Sequence, residues 1–330
     1  MKKNIAVIWG GYSSEKVVSE KSMNDIFSFM DKDRYNVYKV KIDKSEWSAD
    51  IEGEIYPVDK NDFSIKAGNQ KIKIDFAYIT IHGTPGEDGR LQGYFDMLGI
   101  PYSSCGFMAS ALTFNKFFCT NYLKNFGINV AKSIYITKDT KYNVEYIAEE
   151  LKFPIFIKPN TGGSSFATTK VKSADKIQEA IDTAFSEGPD VIVESFISGR
   201  EVTCGCYKTK DKAVILPITE VVTQNEFFDY DAKYKGQVEE ITPADLPGEI
   251  TVEIGRLTSC IYDLVGAKGL IRVDFIITAE GVPFLLEVNT TPGMTSTSFI
   301  PQQVRAAGLS MTDVLTEIIE NEYEKIHTDL

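Results

Sequence analysis

The stretch that decides the fold is Gly269-Leu270-Ile271-Arg272-Val273-Asp274-Phe275-Ile276-Ile277, which is soon followed by Phe284-Leu285-Leu286-Glu287-Val288-Asn289. Both runs alternate with a period of two, and this pattern predicts two strands that each have one apolar face and one polar face. Gly281 lies between them, where a tight turn needs glycine. We therefore expect a hairpin with a two-residue turn at Glu280-Gly281.

The predicted turn pairs Asp274 with Glu287 and Arg272 with Asn289, so one face of the hairpin gathers four functional side chains. Two carboxylates and an amide oxygen form the hard, oxygen-rich ligand set that Mg²⁺ prefers. An arginine beside them suits a phosphate or a developing oxyanion. A surface hairpin with cross-strand ion pairs is the alternative that this stretch alone leaves open. The opposite face, which we expect to point toward a core, holds Ile271, Val273, Phe275, Leu286 and Val288.

Bulk composition excludes several classes of protein. A length of 330 residues favours two or three domains over a single small core. No run approaches about 18 uninterrupted apolar residues, so no membrane span is expected. The net charge of −12 argues against a nucleic-acid surface.

The numbers of cysteines and histidines indicate the cellular compartment and the kinds of metal site that the protein can have. The five cysteines are odd in number and include no Cys-x-x-Cys pair, so reduced thiols are expected. The apolar run Asn4–Trp9 is too short for a signal peptide and is interpreted as an opening strand. Together these features indicate a cytoplasmic protein. The two histidines, His82 and His327, are too few for a histidine-rich zinc site.

Strands alternate with helix-like segments in residues 1–108, which predicts an α/β layer with a largely parallel sheet. Ligands on such sheets bind beyond the carboxyl ends of the strands, where Gly10-Gly11 and His82-Gly83 lie. The predicted strands are Asn4–Trp9, Tyr35–Ile42 and Asp75–Ile81, and the predicted helices are Ser19–Met30 and Leu91–Leu98.

From residue 109 onward the pattern changes. Residues 109–208 are interpreted as a central subdomain and residues 209–330 as a C-terminal domain. Asn225–Ala244 is polar and aromatic with no convincing period, so it is predicted to be a long loop that could act as a lid. Further helices are expected over Ala109–Phe126, Ala174–Phe185 with Ser173 as its cap, Leu246–Val265 and Met311–Glu324, and further strands over Pro154–Pro159, Thr168–Val171, Val191–Glu194 and Glu201–Tyr207.

A small-residue loop, Thr161-Gly162-Gly163-Ser164-Ser165, lies between two of these strands. It is not a P-loop, because no Gly-Lys-Ser/Thr follows and no helix begins directly after it. Its backbone N–H groups could still cradle phosphate oxygens, with Lys158 reaching a phosphate as a point charge. A plain turn is the alternative for this loop taken alone.

A second candidate binding segment is Phe196-Ile197-Ser198-Gly199, which is flanked by Glu194 and Glu201. The strand end, the apolar pair and the two acids could hold an adenine ring and a ribose. Exposed glutamates are common, so this segment is weak evidence by itself.

Taken in order along the chain, these pieces resemble the D-alanine–D-alanine ligase family of the ATP-grasp superfamily. The resemblance covers Ile5 to about Leu315. It implies an α/β ATP-grasp fold with an N-terminal Rossmann-like parallel-sheet domain (1–108), a central flap-bearing subdomain (109–208) and a C-terminal α+β domain (209–330). The most specific motifs are Gly10-Gly11-Tyr12-Ser13-Ser14-Glu15, His82-Gly83-x-x-Gly86-Glu87-Asp88-Gly89-x-Leu91-Gln92-Gly93, Phe228-Asp229-Tyr230-Asp231-Ala232-Lys233-Tyr234 and Glu287-Val288-Asn289-Thr290-Thr291-Pro292-Gly293-Met294-Thr295.

The resemblance implies a role for each matching position. Glu15 would hold the ammonium of the first D-alanine, with His82 near that substrate, and Ser298 and Phe299 would lie at the second amino acid. Arg272 and the Gly293 N–H would stabilise the tetrahedral intermediate. Ser164 of the flap and Tyr234 of the lid would join Glu15 in a network that closes the site. The implied ATP contacts are Lys116, Lys158, Ser164, Ser165, Glu194, Phe196, Ile197, Glu201 and Lys233. The resemblance also implies two ions of Mg²⁺ or Mn²⁺, with Asp274, Glu287 and Asn289 as their ligands.

The family resemblance also implies D-alanine and ATP as substrates, a homodimer, and no nucleic-acid or membrane partner. Phe166-Ala167 after the flap serines and Phe299 at the second-substrate pocket depart from the residues usual in the family. Ligases that use D-lactate or D-serine, and a catalytically silent ATP-binding regulator, are the alternatives. A dinucleotide-dependent oxidoreductase is set aside, because Gly10-Gly11-Tyr12-Ser13 lacks Gly-x-Gly-x-x-Gly.

Overall fold

The architecture rests on three β-sheets, and the computed structural model describes residues 2–13, 15–163, 166–223 and 238–328. The first sheet contains β1 (Lys3–Gly10), β2 (Tyr35–Ile42), β3 (Trp47–Ile51), β4 (Glu54–Asp59), β5 (Ser64–Ala67), β6 (Gln70–Ile72) and β7 (Phe76–Ile79). Their order is β6-β5-β4-β3-β2-β1-β7. Strand β1 runs parallel to β2 and β7, as expected for a Rossmann-like layer. Strands β3 to β6 extend the sheet as an antiparallel meander, so the sheet is mixed rather than largely parallel.

Strand β1 is buried on both faces, which explains why its apolar run does not alternate with polar residues. Ile5 and Val7 pack in one core with the helix Lys16–Phe29, and Ala6 and Ile8 pack in another with the helix Arg90–Leu98. The C-terminal helices Phe299–Ala306 and Met311–Thr328 join the core of Ile5 and Val7. The two ends of the chain therefore share one hydrophobic core.

The single helix predicted over Ala109–Phe126 is two helices, Phe107–Phe114 and Lys116–Lys124. Asn115 separates them with an extended backbone, φ −91° and ψ 101°, and its side chain accepts a hydrogen bond from the Phe118 N–H. An asparagine with this geometry is a helix N-cap, so it ends one helix and begins the next.

The second sheet is antiparallel and has the order β10-β9-β11-β8. Its strands are β8 (Ser133–Thr137), β9 (Ile155–Pro159), β10 (Thr169–Val171) and β11 (Asp190–Ser195). The helices Val144–Leu151 and Ile177–Phe185 pack with it in one core, and a 3₁₀ turn, Ala174–Lys176, precedes the second of them. Ser173 makes no side-chain cap hydrogen bond, contrary to the expectation from sequence.

The third sheet contains β12 (Arg200–Lys208), β13 (Ala213–Ile215), β14 (Thr219–Thr223), β15 (Val238–Ile241), β16 (Leu270–Ile277) and β17 (Pro283–Asn289). The order is β15-β14-β12-β16-β17, with β13 also paired to β12, and the helix Gly248–Leu264 packs in its core. Strand β12 lies inside this sheet, although the boundary at residue 208 had assigned it to the central subdomain. The sheets favour a boundary between Ser195 and Arg200, and the division into three domains remains a prediction. Part of the loop predicted over Asn225–Ala244 is strand β15, and its residues 224–237 lie outside the described residues.

The hairpin of β16 and β17 has the predicted register at its functional end, where Arg272 pairs with Asn289 and Asp274 with Glu287. The turn has three residues instead of the predicted two. Gly281 has a φ of 78°, and its N–H donates to the Thr278 carbonyl at 2.9 Å. An irregularity between Asp274 and Phe275 compensates for the extra residue. Leu285 therefore enters the core, and Leu286, which was predicted there, lines the cavity described below.

No helix among the described ranges is long and apolar enough to cross a membrane.

Candidate active site

A cavity of about 1600 Å³ opens where the three sheets meet. It is lined by every predicted site residue that falls within the described ranges: Glu15, His82, Lys116, Lys158, Glu194, Phe196, Ile197, Glu201, Arg272, Asp274, Glu287, Asn289, Gly293, Ser298 and Phe299. The structure thus brings together residues that are up to 284 positions apart in the chain, from Glu15 to Phe299. Ser164, Ser165, Lys233 and Tyr234 lie outside the described residues.

Asp274 is the centre of the hydrogen-bond network on the hairpin. Its two carboxylate oxygens accept one hydrogen bond each from Arg272 Nε and Nη2, both at 2.8 Å. Thr203 Oγ1 donates to Oδ1 at 2.6 Å, and Asn289 Nδ2 lies 3.0 Å from Oδ2. Thr203 faces Asp274 across strands β12 and β16. Asp274 is therefore held in one orientation by three different side chains.

The Arg272 guanidinium is buried in this network and also lies over the Phe299 ring, 5.4 Å from its centroid. Burial alone disfavours its charged form, but the charge and hydrogen bonds of Asp274 outweigh burial and raise the pKa of Arg272. Glu287 adds to this effect, with its Oε1 3.9 Å from Arg272 Nη2. Arg272 is thus a fixed positive charge at the wall of the cavity.

The hairpin residues fit a divalent cation by their chemistry and spacing. Asn289 Nδ2 lies 3.0 Å from Asp274 Oδ2 and 3.4 Å from Glu287 Oε1, so both carboxylates are within reach of one amide group. Rotation of that amide would turn its oxygen toward the same point, which gives the all-oxygen ligand set that Mg²⁺ prefers. In the described part of the chain, no three histidine, cysteine, aspartate or glutamate side chains gather as an alternative metal site.

Two lysines lie on the side of the cavity formed by the second sheet. Lys158 Nζ is 2.6 Å from Glu194 Oε2, and both side chains are largely buried. Lys116 Nζ donates to the Gly162 carbonyl at 2.6 Å, which ties it to the small-residue loop. Burial lowers the pKa of Lys116, and the nearby Glu287 carboxylate opposes that shift. These lysines offer point charges for phosphate oxygens.

Glu15 and His82 lie at the carboxyl ends of the first sheet. Glu15 precedes the helix Lys16–Phe29, and the tip of the small-residue loop approaches it so closely that a Cβ at Gly163 would lie 2.8 Å from Glu15 Oε1. A side chain at position 163 would therefore displace the Glu15 carboxylate from its present position. His82 Nε2 is 3.2 Å from Ser22 Oγ, and burial lowers the pKa of His82 against the opposing charge of Glu15. His82 is therefore a neutral polar neighbour of Glu15 near pH 7.

Sequence reasoning gave no role to Glu87, although it quoted the motif that contains it. Glu87 Oε2 accepts a hydrogen bond from the Gly83 N–H at 2.6 Å and lines the cavity beside Glu15. Burial and the charge of Glu15 raise the pKa of Glu87 to about 8. Thr203 was missed as well, because its contact with Asp274 depends on the pairing of two strands distant in sequence.

The loop after β17 carries the remaining predicted residues. Ser298 Oγ is 2.7 Å from Thr295 Oγ1, and the Ser298 N–H donates to the Thr295 carbonyl at 2.8 Å. Asp25 Oδ2 accepts from the Ser296 N–H at 2.8 Å, which joins this loop to the helix Lys16–Phe29. The loop that presents Gly293 and Ser298 is therefore fixed by hydrogen bonds within itself and by one to the helix Lys16–Phe29.

Comparison with known proteins agrees with this geometry. The family description "D-ala D-ala ligase N-terminus" matches residues 4–105, and "D-ala D-ala ligase C-terminus" matches residues 122–320. The D-alanine–D-alanine ligase of Parabacteroides distasonis is 61% identical, covering 99% of this chain and 100% of that protein. The D-alanine–D-alanine ligase of Bacteroides fragilis is 57% identical over 98% of this chain and 100% of its own length.

Solved structures lead to the same family. The VanG D-Ala:D-Ser ligase from Enterococcus faecalis has a TM-score of 0.87 and 31% identity, covering 98% of this chain and 100% of that one. The D-alanine–D-alanine ligase from Bacillus anthracis in complex with ATP has a TM-score of 0.80 and 30% identity, covering 99% and 100%. The chain therefore belongs to the D-alanine–D-alanine ligase family.

Proposed function

We infer that this protein catalyses the ATP-dependent ligation of two D-alanines to D-alanyl-D-alanine, the dipeptide used in peptidoglycan synthesis. The observation that carries the inference is one cavity in which two carboxylates, an arginine and two lysines face one another. An amide forms from two amino acids only after one carboxylate is activated, and phosphoryl transfer to it requires positioning and charge neutralisation. Relatives of 57–61% identity along nearly the whole chain bear the name of this activity.

In the first step, the γ-phosphoryl group of ATP passes to a carboxylate oxygen of the first D-alanine, which forms an acyl phosphate and releases ADP. We assign Lys116 and Lys158 to the phosphates, with Ser164, Ser165 and Lys233 as further contacts. Asp274, Glu287 and Asn289 would hold Mg²⁺ or Mn²⁺, two ions by resemblance, and the metal would neutralise phosphate charge when bound. The adenine and ribose are assigned to Glu194, Phe196, Ile197 and Glu201.

In the second step, the amine of another D-alanine attacks the acyl carbon, and inorganic phosphate leaves. Glu15 holds the ammonium of the first D-alanine, and Ser298 and Phe299 bound the space for the second. Arg272 and the Gly293 N–H face the oxyanion that forms during the attack, where fixed donors lower the barrier most. The acyl phosphate would hydrolyse in open water, so a lid is required, and we assign it to the part of residues 225–244 that precedes strand β15, with Tyr234 and Ser164 closing onto Glu15.

D-alanine is proposed as the second substrate on the basis of the lid sequence. The family resemblance implies that an ester-forming ligase has a histidine at the position of Tyr234, whereas no histidine occurs between His82 and His327 in this chain. A neutral tyrosine offers no charge that would repel the ammonium of D-alanine.

The experiment is phosphate release from ATP with D-alanine, L-alanine, D-serine or D-lactate as the only amino or hydroxy acid, followed by product analysis. D-alanine should give by far the fastest release and the dipeptide as product. Faster release with another of these acids, or no ATP turnover with D-alanine, would refute the assignment.

We also propose a homodimer located in the cytoplasm. The exposed apolar side chains of Met97, Phe107 and Met108, on two adjoining helices, supply the kind of surface that a partner covers. The five cysteines are free thiols, in keeping with a reducing compartment. Sedimentation velocity of the parent and of Met97→Lys would test the dimer, and a monomeric parent would exclude it.

A further inference from the structure

Glu240 is an acidic residue of the cavity to which sequence reasoning gave no role. It lies in strand β15, and its partner across the sheet is Val221 on β14, which lines the same cavity. The adjacent Glu239 points to the other face of the strand, because side chains alternate along a strand. Only Glu240 of this pair lines the cavity.

A hydrogen bond joins Glu240 to the helix that borders the second-substrate space. Gln302 Nε2 donates to Glu240 Oε2 at 2.5 Å and to the Thr297 carbonyl at 2.7 Å. Gln302 belongs to the helix Phe299–Ala306, which begins directly after Ser298. Glu240 is therefore fixed against the same short segment that presents Ser298 and Phe299.

The charges around this segment are complementary to a zwitterion. Arg272 provides the positive charge, since it lies over Phe299 and acts electrostatically on the Glu240 carboxyl. Glu240 provides the negative charge, and no lysine or arginine of the described ranges forms an ion pair with it. Partial burial raises the pKa of Glu240, more than Gln302 and Arg272 lower it, although the residue keeps contact with solvent at the mouth of the cavity.

We propose that Glu240 binds the ammonium group of the second amino acid and thereby selects amino acids over hydroxy acids at that subsite. The proposal rests on the ligase function inferred above. The carboxylate of the incoming zwitterion would meet Arg272 and Ser298, and its ammonium would meet Glu240. A hydroxy acid has no cation to place there, so it would lose the ion pair with Glu240 that an amino acid gains. Gln302 acts as a positioning residue that holds Glu240.

The test is the ratio of depsipeptide to dipeptide formed from equimolar D-alanine and D-lactate. Both products begin with the same D-alanine, so the ratio reports only on the second subsite. Glu240→Gln should raise the ratio about tenfold or more, the loss expected for one charge-assisted hydrogen bond. Glu239→Gln, the same change on the other face of the strand, should leave the ratio at the parent value.

Two further variants separate charge from folding. Glu240→Asp keeps the charge and should keep a ratio near that of the parent. Gln302→Leu keeps Glu240 but removes the hydrogen bond that holds its carboxylate, and should raise the ratio less than Glu240→Gln does. If Glu240→Gln does not fold, the ratio measured for Gln302→Leu tests the proposal in its place. An unchanged ratio in Glu240→Gln, including no detectable depsipeptide from either protein, would overturn the proposal. A parent that makes no dipeptide would instead refute the ligase function.

Discussion

Asp274 and Glu287 are assigned the same ligand role, but the structure makes them unequal for stability. The Asp274 side chain is only 9% exposed and accepts the paired hydrogen bonds of the Arg272 guanidinium. The Glu287 side chain is 27% exposed, and its carboxylate lies 3.9 Å from the same guanidinium. Asp274 is thus the main counter-charge of a buried cation, whereas Glu287 is a more distant and better hydrated neighbour.

The magnitudes follow from this difference. Asp274→Ala leaves the buried Arg272 cation without its paired acceptor, and such a loss costs about 3–5 kcal/mol of unfolding free energy. For a chain of this size that is a fall in Tm on the order of 5–10 °C. Glu287→Gln removes one charge from a longer, partly exposed pair, so its cost should stay within about 1 kcal/mol. Both variants should lose most turnover, because each removes a proposed metal ligand.

The assay combines thermal unfolding without nucleotide or metal with phosphate release at saturating D-alanine and Mg²⁺. Glu280→Gln, at the exposed turn of the same hairpin, is the matched control and should resemble the parent in both measurements. Equal loss of stability in Asp274→Ala and Glu287→Gln would refute the reasoning about burial. A Glu287→Gln variant that turns over like the parent would refute its place in the metal site.

Three further predictions concern other parts of the cavity. Arg272→Ala should lower kcat by about 100-fold or more while ATP binding changes little, because its charge acts on the oxyanion; a change confined to the KM for ATP would contradict this. Folding raises the pKa of Glu87 from 4.5 to about 8, so the stability that its proton contributes is present below pH 4.5 and is lost as the pH rises to about 8. The urea midpoints of unfolding at pH 5 and pH 8 should therefore differ less in Glu87→Gln than in the parent. An equal difference between the two midpoints in both proteins would exclude the raised pKa of Glu87. Limited proteolysis should cut within residues 225–244 of the free protein and be suppressed by ATP plus a phosphinate analogue of D-alanine, whereas equal cleavage would count against a closing lid.

Local sequence patterns correctly predicted strands whose burial is visible in their own run of apolar residues. Strand Tyr35–Ile42 has the predicted bounds, and the strand predicted over Asn4–Trp9 is one residue longer at each end. Both carry apolar side chains at positions that the first sheet buries. Three of the four motifs quoted for the family resemblance likewise led to residues that line one cavity, and the fourth, over residues 228–234, lies outside the described residues.

The remaining elements depend on contacts that one segment does not encode. The meander over residues 47–72 consists of short strands with little alternation. Strand β3 pairs with β2, and each later strand pairs with the one before it. The division of the helix at Asn115 depends on a side-chain cap and on the Asn160 side chain, whose Oδ1 accepts from the Phe117 N–H at 2.9 Å. Glu240 became visible as a site residue only when strand β15 was paired with β14.

The hairpin shows how a register can be predicted correctly from a turn that is wrong. The observed turn has one more residue than expected, which pairs Ile277 with Pro283 and would carry every later pair out of step. The irregularity beside Asp274 adds one residue to β17 and restores the predicted pairing of Asp274 with Glu287. Burial explains why the two deviations cancel, since Val273 is fully buried in the core and a slip of one residue would turn it toward the cavity. Bulges of this kind re-aim side chains beside functional sites. The register at the site is therefore fixed by the apolar face of the hairpin, and the turn adapts to it.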